Sequence, residues 1–215
     1  YNTVSAPVTE EDLRVQLSKA LEKYSNEKMV KIYTSGSFLD DKEIPGAVRK
    51  DIFQMFAPAQ RILFESRPEF VTEENLASVV KERSAVAIGL ESANDEILRK
   101  CIRKGFTVGD YEQAARVLNK LNIPLRTYLL LKPPYLTERA AIEDAKASVK
   151  YAAQFSESVS VNPVNVQRST LVESLWSRGS YAPPMIWSLI EVLKDGSGKE
   201  GCRLLSSPSG GGAAR

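Results

Sequence analysis

The strongest constraint on the fold of this chain is a regular alternation of short apolar runs with longer helical patterns. Strand-like runs recur near positions 31, 62, 87, 127 and 160, and a helical pattern separates each run from the next. This alternation is typical of parallel βα units, because a parallel strand pair needs a crossover that usually contains a helix. The sequence therefore predicts an α/β fold with a parallel sheet of five to six strands covered by helices.

Five or six βα units are too few for a complete eightfold barrel. A partial (β/α) barrel and an open doubly wound sheet both stay open on pattern alone, and both place ligands at the carboxyl ends of the strands. We expect one core over residues 1–194 and a flexible Gly/Ser-rich tail over residues 195–215. Within that tail, "DGSGKEGCRLL" is expected to contain one short strand.

Composition excludes several function classes. The chain has 215 residues, 43% of them hydrophobic, and its net charge of +2 gives no strong overall attraction to nucleic acid or membranes. Its two cysteines, Cys101 and Cys202, lack metal-ligand spacing, and no long apolar span is present, so we expect a cytoplasmic protein without a membrane segment. Because the chain has no histidine, its chemistry must use carboxylates, Lys, Tyr or a bound cofactor.

The helical segments have recognisable starts and stops. Thr9, Asn94 and Thr137 are predicted N-caps, and Gly105 is the predicted stop of the helix that Asn94 begins. The expected helices cover about 9–24, 45–56, 72–82, 94–105, 110–121 and 137–155, followed by two helices within 171–194. In that last pair, Trp176 and Trp187 are expected to be core anchors, with base-stacking platforms as the alternative.

Polar residues gather where the strands end, at "TSGS", "ESRP", "GLES", "LKPP" and "NPVNVQ". Ser, Asn and Asp at such places are also ordinary turn and capping residues. Glu65, Arg67 and Glu91 are harder to explain as turn residues, because charges at the ends of buried strands need partners. A Glu65–Arg67 salt bridge is one solution, and a ligand site at the strand ends is the other.

The later strands suggest substrate contacts. Strand alternation predicts that Tyr128 and Leu130 share one face. Lys132, which precedes two prolines, is a candidate for binding an acidic group or phosphate, although a lone Lys at a loop start is often solvated. Asn162, Asn165 and Gln167 alternate with valines and are candidates for hydrogen bonding to a purine, although such residues are common in turns.

The stretch "IGLESANDEILRKCIRKGFTVGDYEQAARVLNKLNIPLRTYLLLKPPYLTERAAIED" resembles the central part of radical S-adenosylmethionine (radical SAM) enzymes. The branch it resembles contains the Elongator catalytic subunit, the methylthiotransferases and oxygen-independent coproporphyrinogen oxidase. With "KIYTSGSFLDDKEIP" and "ESRPEFVTEENL", the resemblance covers residues 28–165. Within the branch, "PVNVQRSTLVESLWSRGSYAPPMIWSLIEVLK" is similar to the archaeosine-forming radical SAM lyases of archaea.

This resemblance implies a partial (β/α) barrel of the radical SAM type that binds S-adenosylmethionine. The turn of Ser35, Gly36 and Ser37 would meet the methionine moiety of the cofactor, although many members have Gly-Gly-Glu there. The other implied cofactor-binding residues are Glu65, Arg67, Glu91, Ser92 and Arg103. Arg103 is expected on the helix after the third strand, where a solvated Arg is the alternative. The resemblance identifies no catalytic residue and no metal ligand in this chain.

The family also requires a four-iron four-sulfur cluster held by three closely spaced cysteines, and this chain has no such triplet. We therefore expect a fragment whose full-length protein carries the cluster. Implied partners are transfer RNA or a modified nucleobase, an electron donor and a partner enzyme of the same pathway. Transfer RNA methylthiolation or carboxymethylation, a cluster-free binding module, and a conventional enzyme using Glu65 and Glu91 as acid and base remain alternatives.

Overall fold

The computed structural model describes residues 8–34, 36–196 and 201–206. Its strands are β1 Met29–Ile32, β2 Arg61–Glu65, β3 Ser84–Glu91, β4 Leu125–Leu131, β5 Ser158–Pro163 and β6 Arg203–Leu205. They form one sheet in the order β1-β2-β3-β4-β5-β6, and the β1·β2, β2·β3, β4·β5 and β5·β6 pairs are parallel. The predicted fold class, a partial (β/α) barrel whose parallel sheet has five to six strands, is confirmed.

The helices are α1 Glu10–Leu21, α2 Gly46–Met55, α3 Glu73–Leu76, α4 Asp95–Ile97, α5 Val108–Lys120, α6 Glu138–Ala152, α7 Leu171–Ser177 and α8 Ile186–Gly196. The three predicted N-caps are correct: the side chains of Thr9, Asn94 and Thr137 each accept a backbone N–H of the first turn. These bonds satisfy N–H groups that have no partner within the helix.

The predicted helix over 72–82 is wrong in length, because α3 ends at Leu76. A short 3₁₀ turn follows at Lys81–Arg83. The Arg83 guanidinium donates to the carbonyl oxygens of Ala59 at 2.9 Å and Phe53 at 3.2 Å, and also to that of Phe56. It thereby satisfies carbonyls at the carboxyl end of α2, which have no partner within that helix. The segment after α3 thus places Arg83 at α2 instead of continuing the helix.

The chain forms two compact units, and the first comprises residues 1–88 and 112–125. In this unit the register aligns Val30 with Ile62, and Phe64 with Val86, so each pair points to one side of the sheet. Ile62, Phe64 and Val86 are fully buried, as is Val48 on α2. The alternation leaves Glu65 on the opposite side of its strand from Phe64.

The second unit comprises residues 89–111 and 126–215. Its core includes Leu129 of β4, Val161 of β5 and the small side chain of Ala145 on α6, all fully buried. Helix α6 also contacts α8, whose Val192 is fully buried. Alanines on the buried side of α6 leave little side chain between the helix and its neighbours, which favours close packing.

The predicted short strand within 195–215 is confirmed as β6, which pairs with β5. Of the rest of the predicted flexible tail, Asp195 and Gly196 belong to α8, and residues 197–200 and 207–215 lie outside the described residues. The predicted boundary after residue 194 stays a prediction. No helix in the described part of the chain is long and apolar enough to cross a membrane.

The expectation that Trp176 and Trp187 are core anchors is wrong. Trp176 on α7 is 45% exposed, and Trp187 on α8 is 73% exposed. The buried side of α8 carries Ser188, Leu189 and Val192, which recur at helical spacing. Trp187 immediately precedes this set but projects about 100° away from Ser188 around the helix.

Candidate functional site

The turn after β1 is joined to the end of β2. The backbone N–H of Phe38 donates to the Glu65 carbonyl oxygen at 2.9 Å, and the N–H of Arg67 donates to Oγ of Ser37 at 3.0 Å. Ser37 is fully buried. Two polar strand ends predicted from separate motifs therefore form one hydrogen-bonded structure in the first unit. Ser35, which was predicted to bind the cofactor from this turn, lies outside the described residues.

Glu43 places a carboxylate against this turn, and the sequence analysis missed it. Its Oε2 accepts the backbone N–H of Ser37 at 2.9 Å. A Cβ added to Gly36 would lie 1.8 Å from Oε1 of Glu43, so the absence of a side chain at Gly36 makes room for the carboxylate. Thr34, Gly36 and Glu43 also line a cavity of about 790 Å³. Oγ1 of Thr34 is buried and has no hydrogen-bond partner among the described residues.

Arg49 on α2 forms hydrogen bonds with the same turn. It is 2% exposed, and its Nη1 donates to the carbonyl oxygens of Phe38 at 3.2 Å and Ile44 at 2.9 Å. Its Nη2 forms an ion pair with Asp41. A planar guanidinium with five N–H donors can hold several carbonyls at once, which a Lys could not do in the same geometry. The turn is thus a constrained loop rather than a simple connection.

At the end of β2, the Arg67 guanidinium forms an ion pair with Glu69, and both side chains are partly exposed. Glu65 is aligned with Ala87 in the β2·β3 register, so their side chains point to the same side of the sheet. Glu69, two residues along the chain, is therefore an acidic partner of Arg67 that was not predicted; the predicted candidate was Glu65.

At the end of β3, Glu91 adopts a left-handed backbone with φ of 70°. Its Oε1 lies 2.8 Å from Nζ of Lys104, and the two side chains are 16% and 23% exposed. A Cβ on Gly89 would lie 2.5 Å from the same Glu91 oxygen. The charge that turn chemistry left unexplained at this strand end thus has a cationic partner, and the glycine makes room for the pair.

Ser92, the next predicted cofactor residue, forms hydrogen bonds with its surroundings. Its Oγ donates to Oδ1 of Asp144 at 2.7 Å and accepts the backbone N–H of Asn94 at 3.1 Å. The N–H of Ala93 donates to Oγ of Ser148 at 2.8 Å. Burial raises the pKa of Asp144, although the Ser92 hydrogen bond acts in the opposite direction. Asp144 and Ser148 come from α6 and were not identified from the sequence.

Arg103 is not on the helix where it was predicted. A π-helical turn at Leu98–Ile102 follows α4, and Arg103 ends it in the left-handed conformation with φ of 57°. The chain therefore turns two residues before the predicted stop at Gly105. Arg103 is exposed, whereas Lys104 is half-buried and reaches Glu91. The sequence showed a basic cluster here without revealing which cation points to the strand end.

In the second unit, the register of β4 and β5 confirms the predicted alternation. Tyr128 is aligned with Ser160, and Leu130 with Asn162, so these four side chains share one side of the sheet. Oγ of Ser160 donates to Oδ1 of Asn162 at 3.2 Å. This side carries hydroxyl and amide groups beside the phenol of Tyr128, whereas Leu129 and Val161 on the other side are apolar and fully buried.

Asn165 and Gln167 do not belong to this strand face. β5 ends at Pro163, and both residues are exposed in the segment that follows, beyond the buried Val164. The interpretation of their alternation with valines as part of a strand end is therefore wrong for Asn165 and Gln167. The N–H of Val164 still donates to the Leu131 carbonyl oxygen at 3.1 Å, and the chain leaves the sheet after this bond.

Lys132 is buried, so the alternative of a solvated lysine is wrong. It is 9% exposed, its backbone is left-handed with φ of 61°, and its Nζ lies 2.6 Å from Oε2 of Glu138. Tyr181 donates its hydroxyl to the Lys132 carbonyl at 2.9 Å, and Oε1 of Glu138 accepts from Oγ of Ser188 at 2.6 Å. Burial, with the Glu138 charge, raises the pKa of Tyr181 to about 12. Lys132 therefore links the end of β4 to α6 and to Tyr181.

Known proteins resemble this chain in sequence, although no family model matches it. Archaeosine synthase subunit beta of Methanosarcina acetivorans is 41% identical over 225 aligned residues, which cover 100% of this chain and 65% of that protein. Archaeosine synthase subunit beta of Thermococcus kodakarensis is 39% identical over 228 residues, which cover 100% of this chain and 70% of that protein. The chain thus spans about two thirds of the length of these relatives.

The fold is also found in solved structures. Elp3 of Methanocaldococcus infernus superposes with a TM-score of 0.64 at 19% identity, covering 91% of this chain and 50% of that one. The radical S-adenosylmethionine methyltransferase TsrM of Kitasatospora setae, solved with cobalamin and a [4Fe-4S] cluster, gives a TM-score of 0.50 at 16% identity. That match covers 71% of this chain and 30% of TsrM. At these identities the two structures establish the fold alone.

Proposed function

Because the chain belongs to the archaeosine synthase subunit beta family, we propose that it forms the S-adenosylmethionine-binding part of a radical SAM enzyme that modifies transfer RNA. The observation that carries this proposal is identity of 39–41% along the whole chain to two proteins named for archaeosine synthesis. When bound, S-adenosylmethionine would supply a deoxyadenosyl radical for hydrogen abstraction, with methionine as the leaving group and one electron given by the reduced cluster of the full-length protein. The outcome proposed here is carbon–nitrogen cleavage in a lysine adduct on a transfer RNA base.

In the first unit, the turn after β1 has groups suited to the methionine end of the cofactor. Glu43 offers a carboxylate to an ammonium group, and the buried hydroxyl of Thr34 has no partner in the described part of the chain. Gly36 makes room for the Glu43 carboxylate, and Ser35 and Ser37 stay among the proposed cofactor contacts. Many family members have Gly-Gly-Glu where this chain has Ser-Gly-Ser. In this proposal Glu43 supplies the carboxylate that the motif lacks. Glu65 and Arg67 complete the proposed cofactor contacts in this unit.

In the second unit, Glu91 and Lys104 supply an acceptor and a cation at the end of β3. A carboxylate can accept hydrogen bonds from two ribose hydroxyls, and an ammonium can bind the cofactor carboxylate. We therefore assign to Lys104 the role predicted for Arg103. Ser92 acts by holding this strand end in position for the cofactor, because its hydroxyl already forms hydrogen bonds with Asp144 and Asn94.

The four-iron cluster does not match the residues of this chain. Such clusters are held by cysteine thiolates, usually four, or by three with the cofactor at the remaining iron, and this chain has only Cys101 and Cys202. Among the described residues, no group of three or more His, Cys, Asp or Glu side chains could hold a metal ion. We assign to this chain cofactor and substrate binding only.

The substrate contacts proposed are those of Tyr128 and Asn162 on the shared strand face, with Lys132, Asn165 and Gln167 beyond the strand ends. Hydroxyl and amide groups beside an aromatic ring are suited to a purine, which presents donors, acceptors and a stacking surface. The relatives are named as a beta subunit, so we also propose a partner subunit, together with an electron donor. We propose a cytoplasmic location, where transfer RNA is modified.

The experiment is anaerobic reconstitution of the complete gene product with iron and sulfide, followed by S-adenosylmethionine, a reductant and transfer RNA. Deoxyadenosine formation together with archaeosine in the digested RNA is expected. Deoxyadenosine with a methylthio or carboxymethyl nucleoside would assign the protein to those reactions instead. Absence of deoxyadenosine from a preparation that holds its cluster would overturn the enzyme proposal, whereas a complete gene product that binds no cluster would favour a cluster-free binding module.

A further inference from the structure

The strand end that carries Glu91 is hydrogen-bonded to α6, the helix whose Glu138 also pairs with Lys132. Two side chains of α6 reach it: Oδ1 of Asp144 accepts from Oγ of Ser92 at 2.7 Å, and Oγ of Ser148 accepts from the N–H of Ala93 at 2.8 Å. Ser92 and Ser148 are 0% and 1% exposed. These bonds therefore lie in a buried environment, where leaving a polar group without a partner is costly.

The conformation of Glu91 explains why such support is needed. Its φ of 70° lies in the left-handed region, which is unfavourable for a residue with a long side chain and persists only when neighbouring contacts impose it. The three residues after Glu91 supply these contacts. The N–H of Asn94 donates to Ser92 at 3.1 Å, so the same serine is bonded to the turn and to α6. The direction of the Glu91 side chain thus depends on bonds made 52 residues away in sequence.

The direction of the Glu91 side chain determines whether its carboxylate pairs with Lys104. Oε1 of Glu91 lies 2.8 Å from Nζ of Lys104, with little space beside Gly89. If the turn of residues 92–94 relaxed to an ordinary conformation, the Glu91 backbone would rotate and its carboxylate would leave this position. We propose that Asp144 and Ser148 are positioning residues that hold Glu91 in place for S-adenosylmethionine. This inference depends on the proposed function, because it assigns Glu91 to the cofactor.

The test uses four variants of the complete gene product, which carry Asp144→Ala, Asp144→Asn, Ser148→Ala and Ser84→Ala. The first removes the acceptor of the Ser92 hydroxyl, whereas Asp144→Asn retains an acceptor oxygen. Ser148→Ala removes the partner of the Ala93 N–H. Ser84→Ala is the matched control, because Ser84 is 1% exposed at the opposite end of β3 and donates to the Val80 carbonyl at 2.7 Å.

Two measurements are made on each variant. Amide hydrogen exchange of a peptide covering residues 89–97 reports on the turn, and equilibrium dialysis gives the dissociation constant for S-adenosylmethionine. We expect Asp144→Ala and Ser148→Ala to speed exchange of this peptide and to weaken binding by about tenfold, as loss of one buried hydrogen bond implies. Asp144→Asn should restore most of the binding, and Ser84→Ala should leave both measurements unchanged.

Three results would count against the inference or its premise. Faster exchange without weaker binding would overturn the positioning role, and unchanged exchange in both Asp144→Ala and Ser148→Ala would show that α6 does not hold the turn. If Ser84→Ala weakened S-adenosylmethionine binding equally, the cause would be general destabilisation, which would also overturn the inference. If the unmodified protein does not bind S-adenosylmethionine, the proposed function fails, while the exchange data still decide whether α6 holds the turn.

Discussion

Gly89 determines the space available to the Glu91–Lys104 ion pair. A Cβ at this position would lie 2.5 Å from Oε1 of Glu91 and 3.1 Å from Nζ of Lys104. Both atoms end flexible side chains, so Gly89→Ala should displace the pair without unfolding the protein. We expect a loss of at most about 1 kcal/mol in unfolding free energy, with S-adenosylmethionine affinity reduced by about tenfold. Thermal unfolding and equilibrium dialysis provide the two values.

The matched control for this substitution is Gly109→Ala in α5. A Cβ at Gly109 would meet Oγ1 of Thr107 at 3.6 Å, which is an ordinary contact. Alanine is preferred over glycine in a helix, so this variant should be neutral or more stable by up to about 1 kcal/mol, with unchanged affinity. A Gly89→Ala variant that binds normally would show that the position of this ion pair does not matter for the cofactor.

Asp144 should make a pH-dependent contribution to stability. Burial raises its pKa above the ordinary value of an aspartate, so the folded protein binds its proton more tightly than the unfolded chain. The resulting stabilisation is fully present below the unfolded pKa and is lost as pH rises through the folded pKa. We therefore expect wild type to lose stability relative to Asp144→Asn as pH rises from about 4, with a constant difference once Asp144 is ionised.

Denaturant unfolding of both proteins between acidic and neutral pH measures this difference. Comparison with Asp144→Asn cancels the carboxylates whose pKa values are lowered, such as Glu138, because both proteins contain them. Asparagine adds only an offset that does not depend on pH. A difference that stays constant across the acidic range, or that changes in favour of wild type, would contradict a buried and poorly solvated Asp144.

At the scale of elements, Arg49 joins α2 to the turn after β1. Arg49→Met would leave the carbonyl oxygens of Phe38 and Ile44 without this donor and would remove the partner of Asp41. We expect a loss of about 2–5 kcal/mol in unfolding free energy, since each buried carbonyl oxygen that loses its donor costs about 1–3 kcal/mol. Arg14→Met is the control, because its ion pairs are about 40% exposed and are worth about 1 kcal/mol or less. Similar losses in the two variants would contradict the role of Arg49.

Elements with a strong local pattern could be predicted from the sequence. Buried strands such as β3 appear as continuous apolar runs, and N-caps such as Thr137 precede an acidic first turn. Periodicity reveals that a helix has an apolar side, but not whether a neighbour covers it, and for this reason Trp187 was misassigned. The length of α3 depended on Arg83 binding carbonyls 24 to 30 residues away, which no local pattern encodes.

Local patterns predicted some residues of the candidate site, whereas residues placed by contacts distant in sequence were missed. Polar strand ends such as Glu91 could be identified because charge is unusual there. Its partner Lys104 could not be distinguished from Arg103, since the left-handed backbone at Arg103 depends on a π-helical turn that the sequence does not reveal. Glu43 bonds to Ser37 in the turn after β1, whereas Asp144 and Ser148 bond to the residues after β3. No local sequence pattern encodes these contacts. The assignments of individual residues to cofactor and substrate stay predictions.

For the whole molecule, the predicted radical SAM resemblance is confirmed, and it extends further than the motifs that suggested it. Those motifs covered residues 28–165, whereas the two archaeosine synthase relatives align with 100% of the chain. Family membership thus rests on the entire chain, whereas the proposed chemistry rests on a few strand ends.

The cysteine content of the whole chain leads to a prediction about iron. A four-iron cluster needs more thiolates than Cys101 and Cys202 provide, and burial raises the pKa of the Cys101 thiol, which disfavours its thiolate form. The 215-residue chain treated with iron and sulfide under anaerobic conditions should therefore retain far less than four irons per chain. The control with Cys101→Ser and Cys202→Ser together should retain the same small amount. Iron analysis and visible absorption after desalting measure both, and a stoichiometric cluster that the double variant lacks would show that these two cysteines are ligands after all.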